Sequence, residues 1–202
     1  PYARKMGSVG KPLEGMQVKI TEDGELRVKT PSNTIGYYKE PQLTTDLFDE
    51  EGYLKTGDMV EYDHDGFLFV TGRVKDLFKT DKGKYIAPTP IETKILANSD
   101  VENTCVVGTG IPQPIALIVL SETGKQKSQE EIVDSLNNSI QQINPLLEAH
   151  EKLEKAVIMK ETWSIENGLL TPTLKVKRNL VEKIHQPFYP RWFQEKGTVI
   201  RE

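Results

Sequence analysis

Two Asp-Gly dipeptides, Asp23-Gly24 and Asp65-Gly66, constrain the first third of this chain more than any other feature. Each lies between two short runs of strand-forming residues, and such a dipeptide between alternating runs is a strong signal for a β-hairpin. The predicted strands are residues 17–21 and 25–30 around the first dipeptide, and 59–62 and 67–71 around the second. Short antiparallel strands with glycine turns indicate a small barrel or a distorted sheet.

The pattern changes after Arg73 to strands that alternate with helices. Thr89–Glu92 and Ser128–Glu131 each place a hydroxyl residue three positions before a glutamate, which is typical of a capping box at a helix start. Apolar residues between 132 and 143 then recur at helical spacing. Strands are predicted at 101–108, 114–121 and 155–159, and a last helix at about 177–185, ending before Pro187.

The predicted fold class is therefore α+β. A β-rich, barrel-like subdomain is expected over residues 1–73, followed by a small α+β domain over residues 74–202, with the boundary near Gly72 to Asp76. Because the chain begins at Pro1 without a start methionine, we expect it to be a fragment of a longer protein.

Composition excludes several functional classes. With 37% hydrophobic and 28% charged residues, the chain is typical of a globular protein rather than a disordered one. The formal net charge of −4 gives no overall attraction to nucleic acid or to an anionic membrane. A single cysteine, Cys105, cannot form an internal disulfide, and no apolar run approaches the roughly 20 residues of a membrane helix, so a cytoplasmic location is predicted.

Asp58 and Arg73 each follow a glycine at a predicted strand end. A carboxylate in such a position can accept hydrogen bonds from two adjacent hydroxyls, as on a ribose. If the two strand ends meet, the acid and the arginine point into the same cleft. The alternative is a simple ion pair that closes the hairpin, and spacing alone favours that alternative.

Lys175 lies in a stretch, Gly168–Arg178, that combines glycine, proline and basic residues. A lysine on such a loop can swing into a site, and its ammonium is a compact charge suited to a carboxylate and a phosphate. Taken alone, the stretch is more simply explained as a basic, solvated run at the start of a helix.

Several motifs in order resemble those of the adenylate-forming superfamily, which includes acyl-CoA synthetases, peptide synthetase adenylation domains and luciferases. The motifs are Thr56-Gly57-Asp58, Gly72-Arg73-x-Lys75-Asp76, Gly83-x-x-Ile86-x-Pro88 and Ile91-Glu92, approached through Gly7–Leu13 and Gly36-Tyr37-Tyr38. The resemblance covers nearly the whole chain, and several ordered motifs are more specific than any single one.

The resemblance implies a role for each candidate residue. Asp58 would bind the ribose hydroxyls of ATP and of the acyl-adenylate, and Arg73 would assist at the same ribose and near the phosphate. Lys75 falls at the hinge between the large and small domains, whose rotation separates adenylation from thioester formation. Gly83 would let the pantetheine arm of CoA pass closely, although a turn explains this glycine equally well. Tyr85 stands where some relatives carry an arginine for a phosphate, which leaves the CoA phosphate contact open.

The loop before the last predicted helix implies fatty acids as substrates. Leu170–Thr173, followed by Lys175, Lys177 and Arg178, resembles the long-chain fatty acyl branch of the family. By alignment Lys175 would be the catalytic lysine of adenylation, with Lys177 as the alternative, because Leu174 replaces the usual glycine before that lysine. The implied activity is that of a long-chain fatty acid–CoA ligase that uses ATP, Mg²⁺ and CoA.

The phosphate-binding loop and the segment that helps to bind adenine and magnesium are not found in this sequence. The resemblance assigns both to a large N-terminal domain before Pro1, which is therefore an expected partner. No metal ligands are predicted here, and the chain alone is expected to have no useful ligase activity. The alternatives are a separate binding or regulatory module, or a ligase for another acid or for a carrier-protein acceptor.

The remaining candidate residues favour structural roles. His64, His150 and His185 are dispersed and lack metal-ligand spacing. Cys105 lies in a β-branched run, which predicts a buried and inert thiol. The aromatic residues within Phe188–Phe193 can contact a partner or the periphery of a membrane, but packing against their own domain is the simpler interpretation.

Overall fold

The computed structural model describes residues 4–202 and divides into two compact units between Lys75 and Asp76. The first unit contains a four-stranded antiparallel sheet in sequential order. Its strands are β1 (Gln17–Ile20), β2 (Glu25–Lys29), β3 (Leu54–Tyr62) and β4 (Leu68–Arg73). Both predicted hairpins are confirmed. The expected barrel-like closure is wrong, because the sheet is open and β1 and β4 are its two edges in the part of the chain that the structure describes.

Helix α1 (Pro41–Leu47) lies in the connection between β2 and β3 and was not among the predicted elements. It begins with a proline at its first turn, a position that tolerates the missing amide hydrogen and the fixed φ. None of its residues is buried, so the sequence carries no apolar stripe by which the helix could be recognised.

The second unit is built on a mixed four-stranded sheet with the order β10-β9-β8-β7. Antiparallel β7 and β8 are followed by the parallel pairs β8-β9 and β9-β10. The strands are β7 (Val101–Val107), β8 (Ile115–Leu120), β9 (Lys155–Ile158) and β10 (Val199–Arg201). A two-stranded ribbon of β5 (Phe78–Lys79) and β6 (Tyr85–Ile86) precedes this sheet in the chain.

Parallel neighbours need crossover connections, and helices supply them here. The link from β8 to β9 contains α3 (Glu122–Lys125) and α4 (Gln129–Ile143), and the link from β9 to β10 contains α5 (Arg178–His185) and α6 (Tyr189–Gln194). Helix α2 (Pro88–Ile95) leads into β7.

The sheet of the second unit is apolar on both faces, because its strand residues alternate between two separate clusters. Ala116 and Ile118 of β8 pack with Ile91 of α2 and Leu136 of α4 in one cluster. The other cluster joins residues of β7, β8, α5 and α6, with members that include Cys105, Leu117, Val181, Tyr189 and Trp192. The α+β class is confirmed, with helices packed against both faces of this sheet.

One of the two predicted capping boxes is confirmed and the other is wrong. The Ser128 hydroxyl accepts from the Glu131 amide at 3.2 Å, and the Glu131 carboxylate accepts from the Ser128 amide at 2.8 Å. Helix α2 instead begins at Pro88, after Ala87, without a side-chain cap. The Glu92 carboxylate is engaged elsewhere, since it accepts from the Val106 amide of β7 at 2.7 Å.

The C-terminal segment is more ordered than its sequence indicates. Helix α5 was predicted, but α6 and β10 were not. Tyr189 and Trp192 have no exposed surface, which confirms packing for these two aromatic residues, whereas Phe188 is 40% exposed. Cys105 is fully buried, as predicted, and burial raises the pKa of its thiol to about 12. No helix among residues 4–202 is long and apolar enough to cross a membrane.

Candidate functional site

Asp58 and Arg73 are brought together by the β3-β4 hairpin. They are direct partners in the strand register, and Arg73 Nε lies 3.0 Å from Asp58 Oδ1 in an ion pair. The ion pair that spacing alone favoured is therefore present. Both side chains keep access to solvent, with 66% of Arg73 and 30% of Asp58 exposed. Since a carboxylate accepts at both of its oxygens, pairing at Oδ1 leaves Oδ2 able to accept from a ligand.

The space beside Asp58 is open, and the backbone at Gly57 is held by hydrogen bonds. Gly57 has φ +70°, and a Cβ placed on it would meet nothing within 4 Å. Its amide donates to Glu25 Oε1 at 3.2 Å, and Arg27 holds the same carboxylate through Oε2 at 3.1 Å. Arg27 also donates to Asp49 at 3.0 Å. This charged network fixes the backbone beside Asp58.

The supporting residues of this network were missed in the sequence. Glu25 is buried, at 8% exposure, which is unusual for a carboxylate unless it is paired. The available signal was Glu25-Leu26-Arg27 in a predicted strand, where alternation puts the two charges on one face.

Lys75 lies in a short 3₁₀ turn, Val74–Asp76, that follows β4 directly. Its side chain is exposed. The position agrees with the point at which the chain divides into compact units, and the hinge role of Lys75 stays a prediction.

Gly83 forms the turn between β5 and β6. Its amide donates to the Thr80 carbonyl at 3.0 Å, and its φ of +78° is a conformation that side chains rarely adopt. A Cβ there would lie 3.6 Å from Lys79 Cε, which is an ordinary contact. Backbone conformation alone thus accounts for the glycine. Next to it, Tyr85 is 63% exposed and has the Lys79 ammonium 5.4 Å from its ring centroid.

Lys175 lies on a tight, hydrogen-bonded loop in the crossover from β9 to β10. Leu170 and Val176 form an isolated antiparallel bridge at the base of this loop. The Thr171 amide donates to the Lys175 carbonyl at 2.8 Å, and the Lys175 amide donates to the Thr171 hydroxyl at 3.0 Å. The Lys175 side chain is exposed. We call residues 170–176 the lysine loop.

Leu174 gives the lysine loop an unusual backbone. It adopts φ +59°, in the left-handed region that favours glycine, and it is 65% exposed. The resemblance implied a glycine at this position, and here a leucine adopts a backbone conformation that favours glycine. Lys177, by contrast, is half-buried and directly precedes α5.

A largely buried ion pair lies just beyond the lysine loop. Arg178 donates to the Glu92 carboxylate and, at 2.7 Å, to the Val106 carbonyl. Both charged side chains are only 15% exposed. Both residues belong to the motifs named above, but their contact was not predicted, because 86 positions separate them.

The candidate residues thus fall into two groups. Asp58 and Arg73 lie in the first unit, whereas Gly83 and Lys175 lie in the second. Among residues 4–202, no group of three or more His, Cys, Asp or Glu side chains could hold a metal ion.

Comparison with known proteins matches residues 75–187 to the family described as AMP-binding enzyme C-terminal domain. The chain is 34% identical over 194 residues to long-chain-fatty-acid–CoA ligase FadD15 from Mycobacterium tuberculosis, covering 88% of this chain and 32% of that protein. It is 30% identical to long-chain-fatty-acid–CoA ligase 5 from Mus musculus, covering 83% of this chain and 27% of that protein. The chain therefore spans about a third of the length of these relatives.

Solved structures share the fold. The adenylation domain of carboxylic acid reductase from Segniliparus rugosus, in complex with AMP and a co-purified carboxylic acid, superposes with a TM-score of 0.73 at 23% identity, covering 92% of this chain and 32% of that one. O-succinylbenzoate–CoA synthetase from Bacillus subtilis, in complex with AMP, gives a TM-score of 0.65 at 26% identity, covering 88% of this chain and 36% of that one.

Proposed function

Because this chain belongs to the AMP-binding enzyme C-terminal domain family, we propose that it is the C-terminal part of a long-chain fatty acid–CoA ligase. The observation that carries the proposal is the exposed Lys175 on an ordered loop within the matched residues. The fatty-acid relatives, which cover most of this chain, support the choice of substrate class.

The proposed reaction has two steps. In the first, the fatty carboxylate attacks the α-phosphorus of ATP, pyrophosphate leaves, and an acyl-adenylate forms. In the second, the CoA thiol attacks the acyl carbon, loses its proton, and releases AMP. Both steps concentrate negative charge near the reacting atoms, and positive groups placed in advance stabilise such transition states.

Lys175 is proposed to act in the first step. Its ammonium would lie between the carboxylate and the α-phosphate and offset the growing negative charge. The exposed side chain suits this role, because it can reach a ligand while the backbone of Lys175 stays hydrogen-bonded to Thr171. Lys177 suits it less, since it is half-buried before α5.

Asp58 and Arg73 are proposed to bind the nucleotide. Asp58 would accept from the ribose hydroxyls through the oxygen that Arg73 leaves available, and Arg73 would remain near the phosphate. Gly83 would border the CoA arm, and Lys75 would be the hinge between the two states. Mg²⁺ would be bound by the nucleotide phosphates and the large domain, since the described residues offer no cluster of metal ligands.

The large domain is proposed to complete the enzyme, with residues 1–73 as its C-terminal part and residues 74–202 as the small mobile domain. Its presence would supply the phosphate-binding loop and the fatty-acid pocket. The 202 residues alone are therefore expected to produce no AMP from palmitate and ATP.

The test uses the complete protein that contains this chain. AMP and acyl-CoA formation from palmitate, ATP, Mg²⁺ and CoA would be measured for the wild type and for Lys175→Ala, with Lys177→Ala as the matched control. We expect Lys175→Ala to lose palmitate-dependent adenylation but still convert supplied acyl-AMP, while Lys177→Ala retains adenylation.

Other results would point to other functions. If the wild type does not activate palmitate but activates another acid, or if it transfers the acyl group to a carrier protein, the family assignment stands. The proposal of a fatty acid–CoA ligase is then wrong. If no acid is activated, the chain serves as a binding or regulatory module.

A further inference from the structure

We propose that the largely buried ion pair between Arg178 and Glu92 positions the lysine loop for adenylation. The proposal rests on the proposed function, because it concerns the loop that carries Lys175. Arg178 is a positioning residue in this account: it touches no substrate and acts through the backbone that joins it to the loop.

The guanidinium of Arg178 is held from two sides. One terminal nitrogen donates to the Val106 carbonyl at 2.7 Å and approaches Cys105 Sγ at 3.3 Å, while the other donates to the Glu92 carboxylate. The same carboxylate oxygen accepts from the Val106 amide at 2.7 Å. Arg178, Glu92 and the Val106 peptide therefore form one closed network that connects α5, α2 and β7.

This network is connected to the lysine loop through the chain that leads from the loop into α5. Arg178 is three residues after Lys175 and is the first residue of α5. Between them, the Lys177 amide donates to the Leu169 carbonyl at 2.8 Å, and Val176 bridges to Leu170. The chain that enters the loop is thus anchored by the buried Leu169 and Leu170, and the chain that leaves it is anchored by Arg178.

The chemistry of the pair suits positioning more than stability. Burying two charges is costly, and replacing such a pair by apolar residues is often neutral or stabilising. Arginine, however, presents planar donors in fixed directions, so only a narrow range of orientations satisfies Glu92 and Val106 together. The start of α5, and with it the lysine loop, is thereby fixed to the sheet.

The network also connects two family motifs that are remote in sequence. Glu92 belongs to the segment that begins at Gly83, and Arg178 ends the segment that contains Lys175. Because the pair joins them across 86 positions, a substitution of Glu92 should change the position of the lysine loop.

The test compares Arg178→Gln and Glu92→Gln in the complete protein with a matched control, Asp100→Asn. Asp100 is also a buried carboxylate of the second unit, at 2% side-chain exposure, paired with Lys127 at 2.7 Å and with Ser135 at 2.6 Å. It holds the start of β7 to α4 and makes no contact with the lysine loop, so Asp100→Asn reports destabilisation alone.

We expect Arg178→Gln to lower the turnover of palmitate-dependent adenylation by about 10-fold to 100-fold, since a misplacement of roughly 1 Å can have an effect of this size. The conversion of supplied acyl-AMP to acyl-CoA should be nearly unchanged. Glu92→Gln should act in the same direction, and Arg178→Lys should be intermediate because lysine keeps the charge but lacks the fork. The fold-loss of adenylation in the double variant should be smaller than the product of the two single fold-losses.

A second readout is independent of ligase activity. In the 202-residue chain, hydrogen exchange at the Thr171 and Lys175 amides should become faster in Arg178→Gln and stay as in the wild type in Asp100→Asn. If the complete wild-type protein activates no acid, the proposed function fails while this comparison still decides the positioning role.

Two results would overturn the proposal. The first is equal exchange at the loop amides in Arg178→Gln and wild type. The second is a loss of adenylation in Asp100→Asn that matches the loss in Arg178→Gln at equal thermal stability, because the effect would then be a general consequence of destabilisation.

Discussion

The two units of this chain are stabilised in different ways. Among the described residues of the first unit, few large apolar side chains are buried, namely Val60, Phe67 and Leu68, and charged networks join the strands. In the second unit, apolar clusters cover both faces of the sheet. One chain therefore contains a sheet joined by charged side chains and a second sheet covered by apolar clusters on both faces.

The difference also concerns the surface. The first unit exposes large apolar side chains that a self-sufficient domain would cover, including Met6 and Ile35 at 99% exposure and Tyr38 at 86%. The proposed candidates follow the same division: the first unit contributes a paired carboxylate on a strand, and the second contributes a lysine on a loop anchored to a core. We infer that the second unit is structurally independent, whereas the first depends on further chain.

The largest expected effect comes from separating the units. Residues 76–202, produced alone, should unfold cooperatively on heating, because each face of the sheet already has its apolar partner. Residues 1–75, produced alone, should give no cooperative transition. Circular dichroism melting and amide-proton NMR dispersion measure both. Cooperative folding of the first piece, or none in the second, would contradict the comparison.

A core truncation tests the second unit directly. Leu136 of α4 is 1% exposed within the cluster beneath the helix. Leu136→Ala should lower the free energy of unfolding of this unit by about 2–5 kcal/mol, through lost burial and the cavity left behind. Leu146→Ala in the same unit, at 72% exposure, is the control and should change it by less than about 0.5 kcal/mol. Chemical denaturation measures both, and equal effects would show that the core is not organised as described.

The charges of the first unit can be tested by titration. Lys5 donates to Asp63 at 2.5 Å and holds the pKa of that carboxyl at about 2, below its ordinary 3.8. Since the folded pKa is depressed, the stabilisation is fully present above about pH 4 and is lost as the pH falls through about 2.

Lys5→Met should raise the pKa of Asp63. The rise should be incomplete, because the Phe67 and Asp65 amides still donate to this carboxylate at 2.8 and 3.0 Å. Carboxyl carbon NMR measures the pKa shift over pH 1.5 to 6, a range that includes the folded pKa of about 2 and the ordinary pKa of 3.8. Lys11→Met is the control. An unchanged pKa would assign the depression to the backbone donors alone.

The sequence predicted elements whose signals are local. The hairpins follow from Asp23-Gly24 and Asp65-Gly66, and α4 follows from its capping box and its apolar stripe. Helix α1 was missed because it buries nothing, and α6 and β10 were missed because each is short.

Contacts between distant segments could not be predicted in the same way. Glu92 has the spacing of a capping residue, but the free Val106 amide and the Arg178 guanidinium compete for its carboxylate in three dimensions. The Asp58–Arg73 pair was accessible from sequence, because a hairpin register fixes both positions. What such a pair binds is not encoded in its register, and for that reason the nucleotide role remains a proposal.

The smallest expected effect concerns backbone strain, which among residues 4–202 occurs at one non-glycine residue in each unit. Lys39 in the first unit has φ +58° and Leu174 in the second has φ +59°. A left-handed conformation costs a non-glycine residue about 1–2 kcal/mol, and glycine loses about 0.5–1 kcal/mol more conformational entropy on folding than other residues.

Leu174→Gly should therefore stabilise the second unit by up to about 1 kcal/mol, measured as an increase in its denaturation midpoint. Lys39→Gly is the matched variant in the first unit, and it should leave that midpoint unchanged because Lys39 lies outside the second unit. A decrease in stability on Leu174→Gly would show that the leucine side chain makes contacts that outweigh the strain. Since the residue adjoins Lys175, those contacts would then help to hold the lysine loop in its folded conformation.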